Sequence, residues 1–312
     1  MGDTVDLAVQ VGALQLQNPI IAASGTFGYG VEFAHLVDLN RLGGLVTKGI
    51  SWEPIEGAPS PRLCETPSGM LNAVGLQNVG VEAFVRDKLP LLRKYNTRVA
   101  VNVFGYCLED YVRVIERLEA EDGSGISAYE LNISCPNVKR GGMQFGADPV
   151  QAGEVVKAAR TAAKKRPLWV KLMPLVTDIG LIARTVADAG ADALTVANTF
   201  PAMAVDFASA KSRLGNATGG LSGPAIKPIT LRLVWEVRKA VQVPIIALGG
   251  VETAEDVLDY VTVGATAVQV GTSSFTDPGA SEVIVGGLAG AVKRAKFKSI
   301  NEMRDRFHVE TG

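Results

Sequence analysis

What most constrains the fold of this chain is an alternation that runs eight times along it. Short, almost wholly apolar runs recur at residues 20–24, 44–48, 98–104, 129–134, 168–172, 193–198, 244–249 and 267–271, with helical patterns between them. A strand that is apolar on both faces has to be covered on both, as parallel strands in α/β folds are. Residues 109–121 show the helical spacing: Val112, Ile115 and Leu118 share a face, while Arg113, Glu116, Arg117 and Glu119 point elsewhere. The spacing returns at Val155, Ala159 and Ala162, at Ile179, Ile182 and Val186, and at Ala254, Val257, Leu258 and Val261. Thr253 is placed to be the N-cap of the last of these. Eight strands, each followed by a helical stretch, predict an α/β protein of the (β/α)8 TIM barrel type, a single domain over residues 1–312. No Gly-x-Gly-x-x-Gly follows the first strand, which weighs against an open dinucleotide-binding sheet. Residues 5–11 and 14–17 read as a small N-terminal hairpin closing the bottom of the barrel. The long connections 49–81, 135–149 and 199–228 all follow a strand's C-terminal end, the catalytic face of such barrels, and are expected to be lids or binding loops.

Composition narrows the chemistry. Thirty-one basic and 32 acidic side chains leave a net charge of −1, which offers no electrostatic footprint for nucleic acid or an anionic membrane. The longest apolar run, residues 283–292, is half a membrane span and holds three glycines. No secretory signal is visible, so a soluble cytoplasmic protein is expected. Two histidines, His35 and His308, weigh against a zinc site or a His-dependent triad, and no metal site is expected. The cysteines Cys64, Cys107 and Cys135 form no Cys-x-x-Cys pair, so the chain cannot build an iron–sulfur cluster by itself. Cys64 and Cys107 read as buried small hydrophobes. Glycine is abundant, 34 of 312 residues against a usual ~7%, which suits tight turns and close approach of backbone to a ligand.

The polar residues sit where the strands end: Ser24, Lys48, Asn102, Asn132, Lys171 and Asn198. One such Asn is best read as a capping group. Six converging on one rim are better read as a binding site. Gly249-Gly250 after strand seven and Gly271-Thr272 after strand eight expose backbone N–H groups just before helices, where anions are favoured. One such loop would be an ordinary tight turn; two adjacent ones favour a phosphate group, at the place where these barrels usually bind it. Cys135 opens the loop after strand four, next to Pro136 and Asn137. Asn72, Gly75 and Asn78 lie in a segment that reads either as a surface hairpin or as a loop wrapping a planar polar ligand.

These segments carry a resemblance. Asn-Ile-Ser-Cys-Pro-Asn at 132–137, Gly-Met-Leu-Asn-Ala-Val-Gly-Leu-Gln-Asn at 69–78, Thr47-Lys48-Gly49, Lys-Leu-Met-Pro at 171–174, Ala197-Asn198-Thr199 and Ser-Gly-Pro-Ala-Ile-Lys-Pro at 222–228 resemble the catalytic subunits of the dihydroorotate dehydrogenase family, class 1, subclass B. The match runs in order from Asn18 to Phe275. Cysteine at position 135 is similar to the soluble class 1, since the membrane-associated class 2 has serine there and an added membrane-binding segment. Asn-Ala-Val-Gly-Leu-Gln points to subclass B rather than to the Asn-Ser-Met-Gly-Leu-Pro of subclass A. Val79 departs from the pattern, where proline is expected, and should change loop stiffness without removing a ligand-binding group.

The resemblance implies FMN across the barrel mouth, one per chain, with its phosphate on Gly249, Gly250, Gly271 and Thr272. Ser24, Lys48, Gly49, Asn102, Asn132, Lys171, Ala197 and Gly223 would line the rest, Lys171 tuning the flavin as a cation beside its N1–O2 edge. Dihydroorotate would be held by Lys48, Asn72, Ala73, Val74, Gly75, Leu76, Asn132, Asn198 and Thr199, with amides offering both donor and acceptor to a pyrimidine edge. Cys135 would be the general base, taking the C5 proton while a hydride leaves C6. A thiol of pKa ~8.5 is only about 3% ionised at pH 7, so activity should rise toward alkaline pH unless the site lowers that value. The paired glycines 141–142 suit a lid over the site. A partner subunit carrying FAD and a [2Fe-2S] cluster would pass electrons to NAD+, in a heterotetramer of two catalytic and two electron-transfer subunits. Three other readings compete: an FMN-dependent dihydrouracil or dihydrothymine dehydrogenase subunit, a Schiff-base aldolase using Lys48 or Lys171, and a catalytically silent scaffold.

Overall fold

The computed structural model describes residues 5–122, 125–134 and 145–309. A hairpin of β1 (Val9–Val11) and β2 (Leu14–Leu16), turned at Gly12, precedes the barrel. It sits at the N-terminal end, where Arg98 Nε donates to Gln15 O and an added Cβ on Gly12 would meet Asp192 O at 3.3 Å. In chain order there follow β3 (Ile20–Ala22), β4 (Gly44–Val46), a hairpin of β5 (Leu63–Thr66) and β6 (Gly69–Asn72), β7 (Arg98–Val103), β8 (Ala128–Asn132), β9 (Leu168–Lys171) and β10 (Ala193–Val196). The loop after β10 carries β11 (Phe200–Ala202), β12 (Val205–Asp206), β13 (Lys211–Ser212) and β14 (Gly219–Ser222), and β15 (Ile245–Leu248) and β16 (Ala267–Val270) complete the set.

Eight of these strands close a parallel barrel in the order β10-β15-β16-β3-β4-β7-β8-β9. They coincide with the eight apolar runs, starting within a residue of them and ending one or two residues earlier, where the chain leaves the ladder to face the barrel mouth. Helices cover the outside. A helical stretch of α1 (Val81–Ala83), a π turn Phe84–Lys88 and α2 (Leu89–Leu92) follows β4. After it come α3 (Leu108–Glu119), α4 (Pro149–Ala162), α5 (Ile179–Asp188), α6 (Lys227–Ala240), α7 (Ala254–Thr262), α8 (Ser273–Thr276) and α9 (Ala280–Arg294). Thr253 caps α7 as expected, in a reciprocal box with Asp256.

Three expectations are corrected. No α-helix follows the first strand: residues 25–38 form turns, and only a 3-10 turn, Leu39–Arg41, precedes β4. Gly25, Gly28 and Gly30 there all have positive φ, which a right-handed helix cannot accommodate. Glu119 does not face solvent but is buried at the end of α3, bonded to Tyr129 and Arg166. Cys107 is only half-buried, at the N-cap of α3, whereas Cys64 is buried as expected against Leu71, Ala73 and Leu214.

The long connections are not loose. Strands β11, β14, β6 and β5 pair antiparallel into one four-stranded sheet joining the excursions after β4 and β10. Gly220 lies opposite Asn72, and a Cβ there would come within 2.0 Å of Thr199 Oγ1, so only glycine lets these segments close up.

Candidate active site

Side chains alternate along each strand, so Glu130 and Asn132 of β8 point into the barrel while Tyr129 points out toward α3. The inward residues near the C-terminal ends, the turns after β15 and β16 and the four-stranded sheet enclose one cavity of about 360 Å³, within the range of small-ligand sites. Ser24, Lys48, Gly49, Asn72 to Leu76, Asn102, Asn132, Lys171, Ala197, Asn198, Thr199, Gly223, Gly249, Gly250, Gly271 and Thr272 all line it. Cys135 and the glycines 141–142 lie outside the described residues. The sequence reading assigned no role to Thr26, Thr218 or Phe275, which also line the cavity and carry no local signal.

Its polar groups divide into three sets. At the tips of β8 and β10, Asn132 Oδ1 accepts from Ser134 N (3.2 Å) and Oγ (2.6 Å), while Asn198 Nδ2 donates to Ser134 Oγ (2.6 Å). Thr199 N donates to Asn198 Oδ1 (2.8 Å). Across the mouth, Asn72 Nδ2 donates to Gly220 O (3.2 Å), which ties β6 to β14. These bonds lock the amides in register before any ligand arrives.

The second set is cationic. The ammonium groups of Lys48 and Lys171 have no hydrogen-bond or ion-pair partner among the described residues, and no carboxylate is among the residues lining the cavity. Burial pulls the Lys48 ammonium below its ordinary pKa, and the positive Arg62 adds to the effect. Burial lowers Lys171 as well, opposed by the charge of Glu130. An unpaired buried cation is unfavourable unless an anion or an electron-rich group comes to it.

The third set is the pair of turns after β15 and β16. Gly250 has φ +65°, and a Cβ there would crowd Gly223 O and Lys227 Cβ, both at 2.8 Å. Among the described residues, the N–H groups of Gly250 and Thr272 donate to no backbone carbonyl. Thr272 Oγ1 donates to Ser222 Oγ at 2.8 Å, joining the turn after β16 to β14. Tyr260 Oη donates to Gly249 O (2.6 Å), which steadies the first turn from beneath. At Gly271, by contrast, a Cβ would meet nothing closer than 3.6 Å, so a side chain there would occupy cavity space.

Residues 6–307 match the family model described as dihydroorotate dehydrogenase. The chain belongs to the dihydroorotate dehydrogenase family. It is 54% identical over 283 residues to the "Dihydroorotate dehydrogenase B (NAD(+)), catalytic subunit" of Pelobacter propionicus, covering 91% of this chain and 92% of that one. A relative from Solibacter usitatus, 50% identical over 300 residues (96% of this chain, 98% of the other), is named, provisionally, dihydroorotate dehydrogenase A (fumarate). In three dimensions the barrel is similar to a crystal structure of the Eimeria tenella dihydroorotate dehydrogenase in complex with ferulenol, with a TM-score of 0.80, 23% identity, and coverage of 98% of this chain and 89% of that one. This last likeness bears on the fold alone.

Family members in general use FMN, and the cavity fits that group. Its free N–H groups and open space at Gly271 suit a phosphate. Lys171 is an unpaired cation, and Asn102 Oδ1 is a buried acceptor with no partner among the described residues. The departure at Val79 also has a structural meaning: its N–H donates to Tyr29 Oη at 3.0 Å, a bond that proline could not make. Among the described residues no helix is long and apolar enough to cross a membrane, and no group of His, Cys, Asp and Glu could hold a metal.

Proposed function

We propose that this chain oxidises (S)-dihydroorotate to orotate on FMN, in pyrimidine biosynthesis, as the catalytic subunit of an NAD+-linked enzyme. The observation that carries the reading is the cavity's charge: a buried lysine, Lys171, and a half-buried one, Lys48, neither paired among the described residues, free backbone N–H groups at one end, amides at the other, and no carboxylate in its described lining. Such a lining suits two anionic ligands, a phosphate-bearing planar cofactor and a carboxylate-bearing pyrimidine. Bound FMN supplies a two-electron acceptor. Gly249, Gly250, Gly271 and Thr272 hold its phosphate, and Ser24, Gly49, Asn102, Asn132, Lys171, Ala197 and Gly223 line its remainder. Lys48, Asn132, Asn198, Thr199 and the segment from Asn72 to Leu76 orient dihydroorotate. Cys135 takes the C5 proton as the hydride leaves C6.

The electrons then pass to NAD+ through a partner subunit bearing FAD and a [2Fe-2S] cluster, in an assembly of two catalytic and two electron-transfer subunits. The name of the Pelobacter relative, a catalytic subunit, supports a partner. The name of the Solibacter relative favours a second reading, in which fumarate is the acceptor.

An anaerobic visible spectrum of the purified chain tests the first half-reaction. The flavin band should bleach on adding dihydroorotate, and persist on adding dihydrouracil. Bleaching with dihydrouracil alone would move the chain to dihydropyrimidine oxidation. Failure to take up FMN, with borohydride trapping of a lysine adduct, would replace redox chemistry by a Schiff base. Reoxidation of the bleached chain by fumarate alone would favour the second acceptor; reoxidation by NAD+ only after a co-expressed partner is added would favour the first.

A further inference from the structure

Glu130 is a carboxylate in the middle of the barrel, with no exposure to solvent. It receives hydrogen bonds from three other strands. Asn102 Nδ2 of β7 donates to Oε1 at 2.8 Å, and Thr195 Oγ1 of β10 and Gln269 Nε2 of β16 donate to Oε2 at 2.8 and 2.6 Å. Every partner is a donor, the arrangement that an ionised, acceptor-only carboxylate requires. It lies one pleat below Asn132, whose register partner is Lys171 of β9, and it forms no ion pair with that lysine within 4 Å. Lys171 therefore feels the charge while its ammonium stays free to meet a ligand.

The consequence falls on Asn102. Turning its amide over would set its carbonyl against the carboxylate, acceptor to acceptor, so Glu130 decides which end of the amide is left without a partner. That end is Oδ1, which is buried and has no partner among the described residues; Gln269 Oε1 is in the same position. Asn102 Oδ1 stands beside Gly49 on the cavity wall, close enough that a Cβ on Gly49 would come within 2.9 Å of it. A buried acceptor left without a partner, on a residue of the cavity wall, calls for an N–H donor from what binds there.

We propose that Glu130 is a positioning residue for the cofactor: its carboxylate fixes Asn102 so that Oδ1 accepts from a ring N–H of bound FMN, and sets one negative charge behind Lys171. This rests on the reading of the cavity as an FMN site. A purely architectural Glu130 would affect only the stability of the barrel. A positioning Glu130 also governs how tightly FMN is held and how readily it takes electrons, because a buried negative charge opposes their arrival.

The test uses full-length holoenzyme of the wild type, Glu130→Gln, Asn102→Ala and the double variant. The measurements are the FMN dissociation constant, the flavin reduction potential by dye equilibration, and Tm. Glu130→Gln should weaken FMN binding by about tenfold or more, the scale of one lost hydrogen bond to a charged group, and shift the potential upward. In the Asn102→Ala background it should weaken FMN binding little further, since the effect runs through that amide. Wild-type affinity and potential in folded Glu130→Gln overturn the proposal, as do fully additive losses in the double variant. If Glu130→Gln does not fold, Glu130→Asp decides: it keeps the charge, so a wild-type potential with weakened FMN binding supports the proposal, and unchanged binding overturns it. Failure of the wild type to bind FMN would instead refute the reading of the cavity.

Discussion

At the N-terminal end of the barrel, Glu119 accepts from Tyr129 Oη (2.9 Å), Arg166 Nη1 (3.2 Å) and Lys165 N (3.0 Å). Arg166 directs its other donors to Ile126 O and Glu121 O. At the C-terminal end, Lys171 is also buried and Lys48 is half-buried, yet no described residue pairs with either ammonium. Both ends contain charge withdrawn from water. At the bottom each charge is matched by a partner, so the network contributes to the fold. At the top no described partner meets the charges, so their desolvation is uncompensated among the described residues, as the proposed binding of anionic ligands requires. The contrast teaches that pairing, rather than burial, separates structural charge from functional charge here.

The sharpest way to break the comparison is to exchange its consequences. Glu119→Ala should destabilise the protein by about 3 kcal/mol, because it strands Arg166 and the Tyr129 hydroxyl in the interior, while leaving the FMN dissociation constant unchanged. Chemical denaturation with a flavin titration measures both. Lys171→Met should do the reverse, lowering kcat/KM about 10²- to 10³-fold with no loss of Tm in the FMN-free protein. A fall in that Tm would show that Lys171 is structurally paired after all.

Gly271→Ala sharpens the same division on the backbone. Its added methyl meets only ordinary contacts in the protein, so unfolding should shift by less than about 0.5 kcal/mol. FMN affinity should fall about tenfold, since the methyl enters the cavity where the phosphate is proposed to sit; equilibrium dialysis would read it.

The smallest effect expected is on pH dependence, where two limbs oppose each other. Lys48 and Lys171 have lowered pKa values, so on the alkaline side they lose charge before an ordinary lysine does, and anion binding weakens as pH rises. The FMN-free protein behaves oppositely. Its unfolded state binds more protons between the lowered value and the ordinary one, so its stability rises with pH across that window. If Cys135 is the base, the rate of flavin reduction should climb with pH before the lysine limb turns it down, giving a bell. A profile with no descending limb would remove Lys48 from substrate binding.

Much of this protein was legible before its structure. The barrel could be read because its strands are apolar on both faces and its helices have a period, and both are local properties of neighbouring residues. The rim residues Ser24, Lys48, Asn102, Asn132, Lys171 and Asn198 could be read for a related reason: a polar group that ends an apolar strand has nowhere to go but the mouth. Glycine-rich β14 gave no strand signal, because Gly219 and Gly220 are set by close approach to Asn72 and Thr199 rather than by propensity. Glu119 misled, since the spacing of α3 did not reveal the Tyr129 and Arg166 waiting beside it.

What the amino-acid order determined by itself was the architecture and the roster of groups at the mouth. Tertiary structure alone decided which of those groups are satisfied and which are left over. Asn72 reaches Gly220 across 148 residues, and Asn102 is turned by a glutamate on the neighbouring strand, 28 residues away. A hydrogen bond depends on distance and angle between atoms that the chain brings together only when folded, and no local pattern encodes that meeting.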